Sequence, residues 1–245
     1  MDEQASYPYY EDINAGLLRI WGDRKGLDVL DVGCGFASTS AEIAKKGNRV
    51  SGVESSPEAV AVARTRIADV IEGDLVTADL GDRKYDVIIF ADVLEHLPWP
   101  MGVLERYLGH LREGGSVIIS LPNVGLWSVR LNVLFGRFPY GDTGVLDRTH
   151  LRFFTRKTVR WLLDQAGLEP VRAAYNPGLV RPFVPLAKKM LSRGDEKGPH
   201  NPRAIIDSPA FRAYSRFVEP VERAVARLWP GALAFQMIFE ARRKR

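Results

Sequence analysis

VLDVGCGFAST, residues Val29–Thr39, carries an apolar run through Asp31 into two glycines at Gly33 and Gly35. An apolar stretch that ends in glycines and opens into a helical pattern reads as a strand, a tight turn and a helix N-terminus. Such a turn exposes unpaired backbone N–H groups and lets a ligand approach the main chain closely. Taken alone, it also fits a purely structural turn. The dinucleotide fingerprint G-x-G-x-x-G/A fits poorly, because Ser38 stands at its third glycine position. Asp31 adds a carboxylate, an awkward neighbour for a pyrophosphate and a sensible one for a cation. The spelling Asp31-Val32-Gly33-Cys34-Gly35-Phe36-Ala37 therefore suits a positively charged nucleoside without phosphates.

Outward from this turn, short apolar runs alternate with helical patterns. LDVLDV (Leu27–Val32), RVSGVE (Arg49–Glu54), DVIEGD, YDVIIFA (Tyr85–Ala91) and SVIISLP (Ser116–Pro122) read as strands. The helix through STSAEIAKKG ends at Gly47, the next takes Ser56 as N-cap and Pro57 as first residue, and a third around Val103–Leu111 stops at REGG. Continuous apolar strands separated by helices imply an open parallel sheet covered on both faces, with ligands at the carboxyl ends of the strands. The rhythm breaks over residues 123–156, rich in Gly, aromatic and basic residues, before Thr155 caps the helix RKTVRWLLDQAG. EPVRAAY reads as a sixth strand, and ALAFQMIFEAR (Ala232–Arg242) as a last strand returning at the sheet edge.

Composition sets the broad class. Hydrophobic residues at 46% and charged residues at 26% are globular values. No apolar run reaches the roughly 18 residues of a membrane span, and the acidic, aromatic N-terminus lacks the layout of a secretory signal. The single cysteine, Cys34, excludes an internal disulfide and a cysteine-built zinc site, which points to a reducing cytoplasm. Asp and His residues show no metal-ligand spacing, so no metal is expected. Residues 176–245 hold 14 Lys/Arg against 6 Asp/Glu, a basic section on a mildly acidic body. It suits either contact with an anionic partner or a solvated surface.

The motifs together resemble class I S-adenosylmethionine-dependent methyltransferases over about residues 27–175. The glycine loop is similar to that family's first motif, EGDL to its third-strand signature, FADVLEHL (Phe90–Leu97) to the segment after its fourth strand, and LREGGSVIISLPN to its fifth-strand region. The resemblance implies an α/β fold: a doubly wound, mostly parallel seven-stranded Rossmann-like sheet with an antiparallel last strand and an inserted helical cap. It implies an N-terminal lid or helix over 1–26, a cofactor-binding core over 27–175 with a substrate-side insertion at 123–156, a basic helical cap over 176–231, and a final edge strand and basic tail over 232–245. It implies S-adenosylmethionine as cofactor, held by Asp31, Gly33, Cys34, Gly35, Glu54, Ser55, Asp74, Leu75 and Asp92. In the family the acidic residue at the Glu54 position takes the ribose hydroxyls, and Asp74 and Leu75 contact the adenine. Without the resemblance, Glu54 would be a solvated strand end and Asp74 a turn former. Cys34 reads as a small buried filler rather than a nucleophile, since no base neighbours it in sequence.

Methyl transfer to a hydroxyl calls for a base, and histidine suits neutral pH. His96 in LEH and His150 in LDRTHLRFF are the candidate catalytic residues; each would otherwise hold a loop by a hydrogen bond. His110 and His200 read as structural or surface residues. Tyr7, Tyr9 and Tyr10 either shield the sulfonium or pack on the surface. The place of an N/D-P-P-Y motif is taken by ADVLEH, against nucleic-acid base methylation. The stretch GRFPYGDTGVLDRTHLRFFT resembles methyltransferases of polysaccharide, glycolipid and natural-product pathways. The expected acceptor is a small molecule methylated on O or N, with a sugar, an anionic compound or a lipid-linked intermediate as the candidates. LVRPFVPLAKKMLSR would either cap the pocket or touch the inner membrane face peripherally. Two other classes share the fold: a non-catalytic cofactor-binding scaffold and an NAD-dependent oxidoreductase.

Overall fold

A computed structural model describes residues 13–179 and 214–244. The expected Tyr7, Tyr9 and Tyr10 lid, His200 and most of the LVRPFVPLAKKMLSR segment lie outside the described residues. In chain order the elements are α1 (Ala15–Trp21), β1 (Asp28–Val32), α2 (Ser38–Lys45), β2 (Arg49–Glu54), α3 (Pro57–Ala63), β3 (Asp69–Glu72), β4 (Tyr85–Ala91), a 3-10 turn (Leu94–His96), α4 (Pro100–Leu108) and β5 (Leu111–Pro122). There follow α5 (Trp127–Leu134), α6 (Arg156–Gln165), β6 (Leu168–Pro177), a π-helical segment (Tyr214–Val218), α7 (Glu219–Leu228), α8 (Pro230–Leu233) and β7 (Ala234–Arg243). None of the described helices is long and apolar enough to cross a membrane.

The strands form one seven-stranded sheet in the order β3-β2-β1-β4-β5-β7-β6. Pairing is parallel from β3 through β5, whereas β7 runs antiparallel to both β5 and β6. Alternate residues of each strand feed opposite faces, as a period of two requires. Leu30, Val32, Ile88, Phe90, Val117, Ile119 and Phe239 pack with α4 and α6 through Leu104, Tyr107, Val159 and Leu163. Val29, Val87, Ile89, Ile118 and Ile238 pack with α1, α2 and α3 through Leu17, Trp21, Ile43 and Val60. The sheet is therefore buried on both faces.

Local signals set several boundaries. Ser56 accepts from the Ala59 N–H with Pro57 at the first helical position, and Thr155 closes a capping box with Thr158. Two expectations are corrected. The fifth strand begins at Leu111, not Ser116: Leu111 pairs with Tyr85, the chain bulges through REGG, and pairing resumes at Ser116 opposite Val87. The last strand is not at the edge. β7 lies between β5 and β6, and its Met237, Ile238, Phe239 and Ala241 are fully buried. The edge belongs to β6, whose Pro170 and run of exposed residues are tolerable only there. Glu240 of β7 is buried and charged because Arg24 and Arg172 meet its two oxygens at 2.9 and 2.7 Å. Burial alone would raise its pKa; the hydrogen bond from Arg172 and the charge of Arg24 outweigh that and hold the carboxyl below its usual range.

Candidate active site

The strand order reverses between β1 and β4, so the chain leaves these neighbours in opposite directions and opens a crevice at their carboxyl ends. The glycine loop fills the β1 side. Gly33 and Gly35 have φ of 72° and 51°, and Ala37, which caps α2, also sits in the left-handed region at 55°. Gly33 and Cys34 donate their N–H groups to the Val53 carbonyl at 2.8 and 3.1 Å, which folds the loop over the end of β2. A side chain at Gly33 would bring its Cβ within 2.7 Å of Val93 Cγ2, just past β4. Gly33→Ala is accordingly expected to cost about 2 kcal/mol, from the left-handed φ and that overlap together. Urea denaturation checks this. Cys34 rests against Gly52, where any Cβ would lie 2.5 Å from its sulfur. Burial first, then Asp31 and Glu54, push its thiol pKa far up, so the residue fills space.

Glu54 ties the crevice together. Its Oε2 accepts the Gly35 N–H at 2.9 Å, and Oε1 accepts those of Ser55 and Ser56, both at 2.8 Å. Asp31 is buried; its Oδ2 accepts from Ser40 Oγ at 2.6 Å, while Oδ1 has no hydrogen-bond partner. Burial, with a further push from the Glu54 charge, raises its pKa to about 7. A buried carboxyl with one unmatched oxygen is costly to ionise, and an opposite charge nearby would favour its ionised form. Asp74 is exposed and builds its own turn, its Oδ1 accepting the Val76 N–H at 2.7 Å. Leu75 stands next to Gly33, its carbonyl accepting from Tyr107 Oη at 3.0 Å.

The β4 side carries the remaining candidates. Asp92 has φ 57° and receives hydrogen bonds from Ser120 Oγ at 3.0 Å and from Gln236 Nε2 at 2.7 and 2.6 Å. His96 ends the 3-10 turn, and His150 comes from the insertion more than fifty residues later, yet their rings lie edge to face at 4.8 Å. The backbone joins them: the Leu151 and Arg152 N–H groups both donate to the Glu95 carbonyl, at 2.8 and 2.9 Å. His150 Nδ1 faces the Val145 carbonyl at 3.2 Å. His96 Nδ1 faces Thr149 Oγ1 at 3.3 Å, and that hydroxyl donates to Asp147 at 2.6 Å. Burial, reinforced by His150, lowers the His96 pKa and leaves its ring neutral near pH 7. His110 is elsewhere, in the turn before β5 with Nδ1 on the Arg83 carbonyl.

Sequence spacing missed two residues here. Glu95 is 1% exposed with neither carboxyl oxygen hydrogen-bonded, and burial, then Asp92 and Asp147, raises its pKa well above the usual range. Among the described residues, Glu95, His96 and His150 are those that could hold a metal ion, with one ligand atom from each within 4.8 Å of the others. Their separation in the chain hides this from any short motif. Gln236 was invisible for a different reason, since its approach to Asp92 depends on β7 entering the sheet beside β5.

Comparison with known proteins places the chain in a family. The methyltransferase domain family matches residues 1–173. The chain is similar to the ubiquinone biosynthesis O-methyltransferase of Idiomarina loihiensis, 29% identical over 177 residues that cover 69% of this chain and 71% of the relative. The protein of the same description from Shewanella halifaxensis is 29% identical over 171 residues, 65% of this chain and 72% of its own. In fold, the chain is similar to a SAM-dependent methyltransferase from Archaeoglobus fulgidus, with TM-score 0.56, 16% identity and coverage of 92% and 90%. It is also similar to the magnesium protoporphyrin IX methyltransferase of Synechocystis, crystallised with bound SAH, with TM-score 0.55, 20% identity and coverage of 93% and 79%. With a family match over most of its length and the glycine loop, Glu54 and the sheet order in place, the chain belongs to the methyltransferase domain family, as a class I S-adenosylmethionine-dependent methyltransferase.

Proposed function

We propose that the protein methylates a hydroxyl oxygen of a small molecule, anionic or lipid-linked, and that the acceptor sits beside the His96–His150 pair. The cofactor supplies an already activated methyl group, so the chain's work is alignment, exclusion of water and removal of one proton. Asp31, with its unmatched buried oxygen, the glycine loop and Glu54 would hold the cationic nucleoside; Asp74, Leu75 and Asp92 border it. The observation that carries the acceptor side is the His96 ring edge to face with His150, with Thr149 and Asp147 behind it; burial lowers the His96 pKa and favours the neutral imidazole. A neutral imidazole oriented through Nδ1 can take the hydroxyl proton as the methyl group moves. The names of the relatives point the same way, since those proteins are O-methyltransferases. Excess positive charge over residues 176–245 suits an anionic acceptor or an anionic surface on which it is embedded.

Turnover with labelled cofactor against phenolic, sugar and lipid-linked hydroxyl acceptors tests this. For an acceptor that is used, His96→Ala or His150→Ala is expected to lower kcat by about a hundredfold or more, the range of general-base catalysis. Affinity for the nucleoside should stay within about twofold. Turnover preserved in both variants would remove the proton-acceptor role, and no turnover on any acceptor would favour a scaffold that binds the cofactor without chemistry.

A further inference from the structure

The side chains around Asp92 form an oriented network that nothing in the methyl-transfer reading above uses. Arg19 of α1 donates from Nη2 to Asn176 Oδ1 at 2.7 Å. Asn176 Nδ2 donates to Gln236 Oε1 and, at 3.3 Å, to Asn14 Oδ1. Gln236 Nε2 then donates to both oxygens of Asp92, while Asn14 Nδ2 donates to Ser120 Oγ at 3.0 Å and Ser120 Oγ donates to Asp92 Oδ1. Two branches therefore leave Asn176 and rejoin at one carboxylate.

The direction of every bond is fixed by its ends. A guanidinium only donates and a carboxylate only accepts, so each amide between them has a single orientation that satisfies both neighbours. Hydrogen bonds aligned head to tail polarise one another, and those ending on a charged group are the stronger kind. The backbone is built to allow this. Gly16 lets α1 come down onto β6 and β7: a Cβ there would lie 2.5 Å from Asn176 Oδ1 and 2.6 Å from Ile238 Cδ1, and both side chains would have to shift. Asn14 also caps α1 and donates its N–H to Thr39 Oγ1 at 2.9 Å, within α2 behind the glycine loop. Asp92 itself sits at φ 57°, an uncommon setting for a residue other than glycine, and needs its surroundings to hold it.

We propose that Gln236 is a positioning residue for methyl transfer: through its two bonds to Asp92 it fixes that carboxylate at the cofactor crevice. Gln236 comes from the last strand, so insertion of β7 beside β5 has a functional consequence as well as a packing one. The proposal rests on the assignment of Asp92 to the cofactor site, and the test separates the two.

The probe is S-adenosylhomocysteine, titrated calorimetrically into the full chain. Gln236→Met keeps the length and shape of the side chain and loses both donors; it is expected to weaken binding about tenfold, as Asp92→Asn does. The double variant should be no weaker than Asp92→Asn alone, because Gln236 acts only through Asp92. Gln236→Glu supplies a readout that a structural role would not move. Its protonated carboxyl keeps one donor to Asp92 where the amide has two, whereas its ionised form repels that carboxylate. Its affinity relative to the parent protein at the same pH should fall as pH rises from about 5.5 to 8; Asp92 is the charged group in contact with it, and Arg19 stands one hydrogen bond further off, behind Asn176. If Asp92→Asn weakens binding but Gln236→Met does not, or if the two losses add, or if the Gln236→Glu ratio ignores pH, the positioning role is wrong while the Asp92 assignment stands. If Asp92→Asn leaves affinity unchanged while Asp31→Asn weakens it, the Asp92 assignment fails and takes the proposal with it.

Discussion

Glu54→Ala is expected to weaken nucleoside binding by at least a hundredfold and to destabilise the protein by about 3 kcal/mol. Both effects come from one carboxylate. It accepts the N–H groups of Gly35, Ser55 and Ser56 and so holds the glycine loop, the end of β2 and the start of α3 in one arrangement. Hydrogen bonds to an ionised acceptor contribute roughly 1.5–3 kcal/mol each when one partner is removed, and water can satisfy part of the loss near the crevice mouth. The loop that must approach the ligand then loses its brace. Glu54→Gln preserves an acceptor for Gly35 or for the serine amides but not for both, and should fall between the two. Chemical denaturation and calorimetric titration of the same samples check the pair of effects; a variant that kept its affinity while losing stability would confine Glu54 to a structural role.

The second large effect belongs to Asp31 and is a matter of pH. Its carboxyl is displaced from the usual 3.8 to about 7 by burial. Between those values the folded chain keeps a proton that the unfolded chain has released, so stability declines as pH rises through this window and levels off above it. The displacement corresponds to roughly 4 kcal/mol across the window. A bound cation favours the ionised form, so the sign for ligand binding is opposite: affinity for the nucleoside should rise about tenfold between pH 5.5 and 7.5 and then level. In Asp31→Asn both dependences should flatten, with weaker binding at pH 8 and a melting temperature less sensitive to the change from pH 5 to pH 8. Melting curves and titrations at those pH values decide it. An unchanged slope in the variant would assign the titration to another group.

The β1 turn and the strands on either side of it were legible because their signals are local. A glycine pair with positive φ, a serine and a proline at a helix start, and a continuous apolar strand each act over a few residues, and the structure uses them in place. The position of β7 was not legible. AFQMIFEA is apolar enough for an interior strand, but the exposed, proline-bearing β6 that it displaces to the edge precedes it in sequence, and only tertiary pairing reveals the exchange. The candidate site divides the same way. Asp31, Gly33, Gly35 and Glu54 sit at the ends of neighbouring strands, where chain order predicts spatial order. Glu95 meets His150, and Gln236 meets Asp92, only after distant segments have packed. Gly16 and Gly52 illustrate the limit from the backbone side. Neither has a positive φ; at each, a neighbouring side chain lies where a Cβ would go.

We propose that the carboxylates around the bare backbone turn, Asp31 and Glu54, hold the cationic nucleoside. Calorimetric titration of the full chain with S-adenosylmethionine and S-adenosylhomocysteine at pH 8, beside oxidised and reduced nicotinamide dinucleotide, is the most direct measurement. One-site binding of the first two, weakened in Asp31→Asn and Glu54→Ala, with no heat from the dinucleotides, is the result expected. Saturable binding of a nicotinamide dinucleotide with none of either sulfur nucleoside would contradict it.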